Sequence, residues 1–564
     1  MFDRRLAVSL VFAAAIVPYF LNLGATSIID ANEAFYTETP REMMEAGDYV
    51  SPTFNYEPRL NKPPLSYWAV VASYKAFGVS LASARLPIVL GSLVILATAF
   101  GLGRIAGSTR AGLLAALTLA ATPRFLLFSR RIIIDVYTAM FLGLTLLLFV
   151  LAETQPRRRR AWLLLMYAAI GLGVMTKGPV ALVLPGLVCV VYLIASRRFA
   201  TLTRLMLPTG AVVVAAIVVP YYAQLYLRNG WEAIGSFLMV ENLARYADGV
   251  GAPSRGPLFY LPVLFADLYF PWSLLLPAGC ALVPWRRVWR MNPDQAGQRG
   301  VAEPVSPETV RLLLGLWIVV IVAFFSLSKA QQDLYILPCV VAAAALVGGA
   351  LDGWINGTLS PRLTSAVAWI LGVVAFVFLV LGGGLVWLVG GAGGRIHLAG
   401  ATLTGAVLCV GAIAAWVALA RRSALAACAA IVSTLVVGHW ILVLWALPDF
   451  ERYKPVPHLA RAIQAAAAPG DRVGMYRVAT PSLTFYLRRH VDQMFDLSEV
   501  AAFFRSSPGA YCVMRQEEYE PIRALIGVPT VALAASPRFD AQLRDFLDAG
   551  PLPNLVVVTN RITR

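Results

Sequence analysis

The sequence predicts an all-helical membrane protein of about thirteen spans with a small α/β domain at its C-terminal end. Three observations predict it. Of 564 residues, 59% are hydrophobic and only 14% charged, with a mean hydropathy of +0.70; a soluble domain carries roughly a quarter charged residues. Apolar stretches long enough to cross about 30 Å of hydrocarbon recur through the first four-fifths of the chain. Roughly the last hundred residues return to ordinary charge density and mixed periodicity.

The N-terminus reads Met1-Phe2-Asp3-Arg4-Arg5 and is then apolar to about Gly24. No convincing small-x-small cleavage site follows, so an uncleaved first span is expected rather than a signal peptide. The remaining spans fall at about 83–105, 111–128, 136–152, 161–176, 178–196, 205–226, 260–283, 312–328, 333–350, 363–390, 398–420 and 424–447. Alternating sides from a cytoplasmic start places four basic clusters in the cytoplasm: Arg157 to Arg160, Arg197 with Arg198, Arg286 with Arg287 and Arg290, and Arg421 with Arg422. Short cytoplasmic loops collect basic residues whatever a membrane protein does. The formal net charge of +16 is therefore topological, and nucleic-acid binding is excluded as its explanation.

An odd number of spans leaves the C-terminal segment outside. The expected division is a membrane domain over 1–448, with a long first outer loop at about 25–80, and an outer α/β domain over 449–564. Helix-like periodicity at 458–467 and strand-like runs at 472–476 and 555–559 define that second domain.

Cysteine and histidine offer little chemistry. The six cysteines are scattered, five of them in apolar segments, and the four histidines form no HxxxH pair. Neither a disulfide framework nor a metal site built mainly from these residues is expected. No cofactor is implied.

The chemistry-bearing residues sit where outer loops meet the membrane. Asp30 and Glu33 lie three apart just beyond the first span, sharing a face of any helical turn. Partial desolvation there would raise a carboxyl toward a useful base; equally, Asp30 suits the cap of a helix running to about Ala46. Lys62, in Asn61-Lys62-Pro63-Pro64, is a cation on the side the charge rule leaves poor in cations. Its prolines deny it a helix and hold it rigid, as a phosphate ligand requires. A lysine snorkelling beside Trp68 explains it as well. Asp135 follows Arg130-Arg131-Ile132-Ile133-Ile134 at the mouth of the fourth span, where an ionisable group is functional or ion-paired. Lys177, Arg245 with Tyr246, and Lys329 with Tyr335 come from three further outer connections. If these loops converge, the cations form an electropositive pocket for a phosphate at the membrane surface.

Together these motifs resemble the GT-C-fold glycosyltransferases that use lipid-linked sugars, in particular the protein O-mannosyltransferase and lipid A aminoarabinose transferase group. The resemblance covers nearly the whole chain. It rests on the run from Glu33 through Tyr36 and Glu38 to Arg41-Glu42-Met43, then Gly47-Asp48, Lys62-Pro63-Pro64, Asp135, Thr176-Lys177-Gly178, Arg245-Tyr246, and Ser328-Lys329 with Tyr335-Ile336-Leu337-Pro338. It implies inverting transfer of a sugar from a polyprenyl (undecaprenyl) phosphate to an extracytoplasmic lipid, glycan or protein, lipid A among them. The implied setting is the outer face of a bacterial inner membrane. It further implies a first-loop carboxylate that activates the acceptor, with Lys62, Arg245 and Tyr335 on the carrier phosphate. Two departures stand out. Asn32 replaces the usual acidic residue before the tyrosine motif, which leaves Asp30, Glu33 or Asp135 for the base. Asn61 precedes the lysine, and Glu241-Asn242 stands where the aminoarabinose transferases carry histidines; no bound metal is expected there.

Two other classes remain open. A flippase for lipid-linked sugars predicts ionisable residues at mid-span and paired broken helices. A degenerate, non-catalytic relative is consistent with Asn32.

Overall fold

A computed structural model describes residues 4–28, 31–249, 251–286, 305–390, 398–539 and 552–561. Every expected span falls on helix. Among the described residues, seven helices are long and apolar enough to cross a membrane, or up to nine if each of two bent pairs is one span. The bent pairs are Thr109–Ala120 with Pro123–Ser129, turning 70°, and Tyr260–Leu268 with Trp272–Ala281, turning 117°. Proline follows each break, Pro123 and Pro271, and cannot supply the N–H that would continue the ladder. Val8–Phe20, Val180–Ser196 and Cys339–Ile355 are apolar but shorter, and Arg159–Lys177 carries charge at both ends. The helices Pro361–Gly390 and Ala399–Ala420 expose large apolar side chains such as Trp369, Phe376 and Val410. A surface of that kind requires hydrocarbon as its solvent. The chain is a multi-pass membrane protein.

The helix expected at 205–226 continues as Leu207–Gly235, but Gly230 (φ 70°, ψ −173°) breaks it. Beyond it the chain winds on through a wider turn at Ser236–Ala244 into Arg245–Asp248. The connection after the first span is more ordered than a loop. It holds the helix Ala31–Ala46, a two-stranded hairpin of β1 (Thr53–Phe54) and β2 (Glu57–Pro58), and the helix Leu65–Phe77, which starts just past Pro63-Pro64. The hairpin turns on Asn55 and Tyr56, both in the left-handed region (φ 57° and 62°) that such two-residue turns require.

The C-terminal residues build a five-stranded sheet of order β4-β3-β5-β7-β6, from β3 (Arg472–Tyr476), β4 (Asp492–Met494), β5 (Ala510–Arg515), β6 (Val531–Pro537) and β7 (Asn554–Thr559). β3, β4 and β5 are parallel, and β7 is antiparallel to both neighbours. Helices cover both faces. Leu459, Ile463, Leu483 and Leu487 pack with β3 and β5 side chains on one face; Val500, Phe503, Phe504 and Tyr519 pack on the other.

This sheet docks on the first connection. Asn55 reads the backbone of Val491 as a strand would: its Nδ2 donates to the Val491 carbonyl (3.0 Å) and its Oδ1 accepts from the Val491 N–H (2.8 Å). Tyr56 donates to the Arg488 carbonyl (3.3 Å), and Tyr486 accepts from the Ile28 N–H (3.1 Å).

Candidate functional site

Four separate connections meet beside the first one. Lys62 Nζ donates to Glu241 Oε2 at 2.7 Å, and Arg245 Nη1 reaches the same oxygen at 3.4 Å. Lys177 pairs with Asp135, and its ammonium lies 5.0 Å from the centre of the Tyr335 ring. The charges of Arg245 and Lys177 both act on Lys62, and those of Arg245, Asp135 and Glu241 act on Tyr335. Lys62, Asp135, Lys177, Arg245 and Tyr335 thus form one cluster, assembled from sites up to 273 residues apart in sequence.

Local geometry explains the convergence. Asp135 opens the helix Ile134–Thr154, and Lys177 closes Arg159–Lys177 on the same side. Gly178 (φ +89°) turns the chain there, and a Cβ at that position would lie 2.5 Å from the Phe237 ring. Gly251 (φ +78°) likewise lets its backbone lie against Arg245, where a Cβ would sit 2.7 Å from Nη2. Tyr246 fixes the same segment by donating to the Phe324 carbonyl at 3.1 Å.

The charges are poorly hydrated. Burial pulls the Lys62 ammonium below the usual lysine range, and Arg245 and Lys177 pull in the same direction, partly offset by Glu241. Burial alone would push the Glu241 carboxyl up, but Lys62, Arg245 and Arg59 outweigh it and hold the group ionised below the usual range. Such a cluster has fixed, partly desolvated cations and two carboxylates that neutralise them in the absence of another anion.

The other expected residues go elsewhere. Glu33 is fully buried and accepts from Arg85 Nε at 2.7 Å. Arg85 uses its remaining donors on the carbonyls of Leu23, Thr26 and Ser27. This arrangement pins the first connection to the start of the helix Leu81–Ala106. Lys329 donates its backbone N–H to the Tyr246 carbonyl (3.0 Å), and the residue is exposed. Arg130, considered from sequence as a partner for Asp135, instead donates to the carbonyls of Pro18 and Asn22. Asp30 lies outside the described residues. The acidic run after Tyr36 is a brace: Glu38 takes a two-pronged bond from Arg41 (2.8 and 2.9 Å), and Glu42 holds Thr53 and the Tyr56 N–H.

Sequence reasoning missed Glu241, which registers there only as a departure from histidine. Its spacing of four residues before Arg245 was the available signal. It also missed Arg59, whose guanidinium stacks 3.7 Å over the Phe35 ring and acts on Tyr36, Tyr67 and Glu241. Among the described residues, no group of three His, Cys, Asp or Glu side chains is placed to hold a metal ion.

Residues 61–223 match the family described as dolichyl-phosphate-mannose-protein mannosyltransferase. The chain is 29% identical over 385 residues to undecaprenyl phosphate-alpha-4-amino-4-deoxy-L-arabinose arabinosyl transferase 1 of Pseudomonas fluorescens, covering 67% of this chain and 63% of that relative. It is 30% identical over 358 residues to the corresponding transferase of Pseudomonas aeruginosa, covering 62% of this chain and 60% of that one. The chain thus matches less than two thirds of the length of these relatives. By structure it superposes on ArnT from Cupriavidus metallidurans bound to undecaprenyl phosphate, with a TM-score of 0.78 and 24% identity over 100% of this chain and 99% of that one.

Proposed function

We propose that this chain, which belongs by fold to the GT-C membrane glycosyltransferases, moves a sugar from a polyprenyl phosphate to an acceptor on the outer face of a bacterial inner membrane. The observation that carries this reading is the convergence of Lys62, Lys177, Arg245 and Tyr335 from four connections on the side that bears the C-terminal sheet. Fixed cations at that depth suit a phosphate held at the end of a lipid. The arabinosyl transferase relatives favour an amino-pentose on the carrier, with a hexose as the alternative.

In the reaction, an acceptor hydroxyl gives its proton to a carboxylate as its oxygen attacks the sugar C1. The C1–O bond to the carrier breaks with inversion, and negative charge builds on the departing phosphate. Lys62 and Arg245 neutralise that charge, which lowers the barrier because they act most strongly in the transition state. Tyr335 and Lys177 complete the cradle. Glu33 is committed to Arg85 and Asp135 to Lys177, so Asp30 is the first candidate for the base, with Asp135 second. Lys329 guides the carrier at the rim.

Transfer of radiolabelled sugar from polyprenyl-phosphate donors in membranes tests the reading, comparing wild type with Asp30→Asn, Lys62→Gln and Arg245→Gln. Loss of transfer in folded variants supports it. Carrier binding without transfer by wild type, whatever the donor, would instead indicate a flippase or a degenerate relative.

A further inference from the structure

Arg59 stands at the foot of the β1–β2 hairpin, just before Asn61 and Lys62. Its N–H donates to the Pro52 carbonyl at 2.8 Å, which closes the open end of the hairpin. Its guanidinium lies 3.7 Å from the centre of the Phe35 ring and 5.9 Å from that of Phe54, and those two rings meet edge to face at 4.7 Å. A guanidinium stacked on an aromatic face is held in one plane.

The polar atoms gathered here are not used up by the fold. Arg59 is half-buried, and its Nε is buried with no hydrogen-bond partner. The Oδ1 of Asn61 is buried and unpartnered as well. The Tyr67 hydroxyl belongs to a fully buried side chain and feels the charge of Arg59. Buried donors and acceptors are almost always satisfied, so orphans beside a binding cluster point to a ligand that meets this wall.

Position decides which part of the ligand that is. The charge of Arg59 acts on Glu241, the carboxylate that Lys62 and Arg245 share, and on Tyr36 and Tyr67, whose rings stack at 5.2 Å. Lys62 leads through Pro63-Pro64 into the helix Leu65–Phe77. Arg59 leads back into the hairpin, whose Asn55 grips the C-terminal sheet. A carrier phosphate arrives from the hydrocarbon, and the group it bears projects beyond it, toward that sheet. Arg59 therefore borders the space on the sugar's side of Lys62.

The residue types suit hydroxyl groups. A hydroxyl both accepts and donates. The guanidinium fork offers paired N–H donors to two adjacent oxygens, and Asn61 Oδ1 offers an acceptor. A site that hydrogen-bonds substrate hydroxyls discriminates far more sharply than one that matches shape alone.

We infer that Arg59, supported by Asn61 and Tyr67, binds adjacent hydroxyl oxygens of the carrier-linked sugar and sets which donor is accepted. This rests on the transfer reaction proposed for the chain. The test is titration of the full-length protein in uncharged detergent with undecaprenyl phosphate and with the same carrier loaded with mannose or, separately, with 4-amino-4-deoxy-arabinose. Wild type is expected to bind at least one loaded carrier about tenfold more tightly than the empty one. Arg59→Met and Arg59→Lys both lack the fork; they should lose that difference while binding the empty carrier within about twofold of wild type. Lys62→Gln should weaken both carriers, because the phosphate is common to them. Tyr67→Phe keeps the ring stacked on Tyr36 and is the second variant should the Arg59 variants fail to fold, as judged by Tm; it should narrow the difference about threefold. Equal losses for empty and loaded carriers would make Arg59 a phosphate ligand and overturn the inference. So would a preference for the loaded carrier that survives in the variants, or a wild type that binds empty and loaded carriers alike. A wild type that binds neither removes the proposed reaction itself, and this inference with it.

Discussion

Glu241 accepts from Lys62 at 2.7 Å although 179 residues separate them in the chain. The same Glu241 oxygen also faces Arg245, so a single carboxylate links two of the proposed phosphate ligands. An incoming phosphate would compete with Glu241 for both.

Replacing either cation and replacing the carboxylate should therefore act in opposite directions. Lys62→Gln and Arg245→Gln are each expected to weaken binding of undecaprenyl phosphate about tenfold or more, the worth of a charge-assisted hydrogen bond. Glu241→Gln should bind the carrier as tightly as wild type or more tightly. Titration of the purified protein with the carrier checks this, and a Glu241→Gln variant that loses binding would show that the carboxylate positions the cations instead.

The depressed ammonium of Lys62 gives carrier binding an alkaline limit. Because its proton leaves below the usual lysine range, phosphate affinity should fall as pH rises through that lowered value. Lys62→Arg should remove the limb, since a guanidinium stays charged. The effect on stability has the opposite sense. The folded state binds fewer protons than the unfolded chain between the two pKa values, so the cost of burying this cation, full at neutral pH, is relieved as pH climbs. A binding profile from about pH 7 to pH 10, with an unfolding series alongside, separates the two.

Glu33 is predicted to act through stability alone. Glu33→Gln leaves Arg85 buried without its counter-charge, which costs roughly 3–5 kcal/mol. The expected result is a lowered unfolding temperature in detergent and poor recovery of folded protein. Normal stability with lost sugar transfer would return Glu33 to the list of bases.

Asp135 and Lys177 should be coupled. Asp135→Asn and Lys177→Met each strand one charge, whereas the double variant strands none. A double-mutant cycle on unfolding free energy is expected to show an interaction of about 1–3 kcal/mol. Additive effects would mean that the pair does not form in the membrane.

Asn55 holds the C-terminal sheet to the first connection through two hydrogen bonds. Asn55→Ala should loosen that docking by about 1–3 kcal/mol and speed proteolysis of the linker near 451–455, without altering the spans. Limited digestion of the variant beside wild type measures it.

Spans and their ends were legible because hydrocarbon imposes a composition on any segment that crosses it. Lys62, Asp135, Lys177 and Arg245 drew notice for a related reason, as ionisable groups in the outer connections, the side that the charge rule leaves poor in cations. Their partners did not. Nothing local ties Lys62 to Glu241, and the two carboxylates of the first connection look alike in sequence although Glu33 faces Arg85 across 52 residues. Arg85 itself was the missed signal: an arginine within an apolar stretch must be paired, and the acid opposite it is structural. The strands at 472–476 and 555–559 followed from β-branched and apolar runs, but their docking depends on a hairpin turn whose left-handed backbone an Asn-Tyr pair does not announce.

The amide of Asn55 also imposes an order on biogenesis. Its partner Val491 lies 436 residues downstream, and ribosomes deliver chain from the N-terminus at about 5–20 residues per second. The hairpin therefore waits for tens of seconds, with every span already threaded, before its clasp exists. Membrane insertion and closure of the first connection are separate events in the life of the molecule.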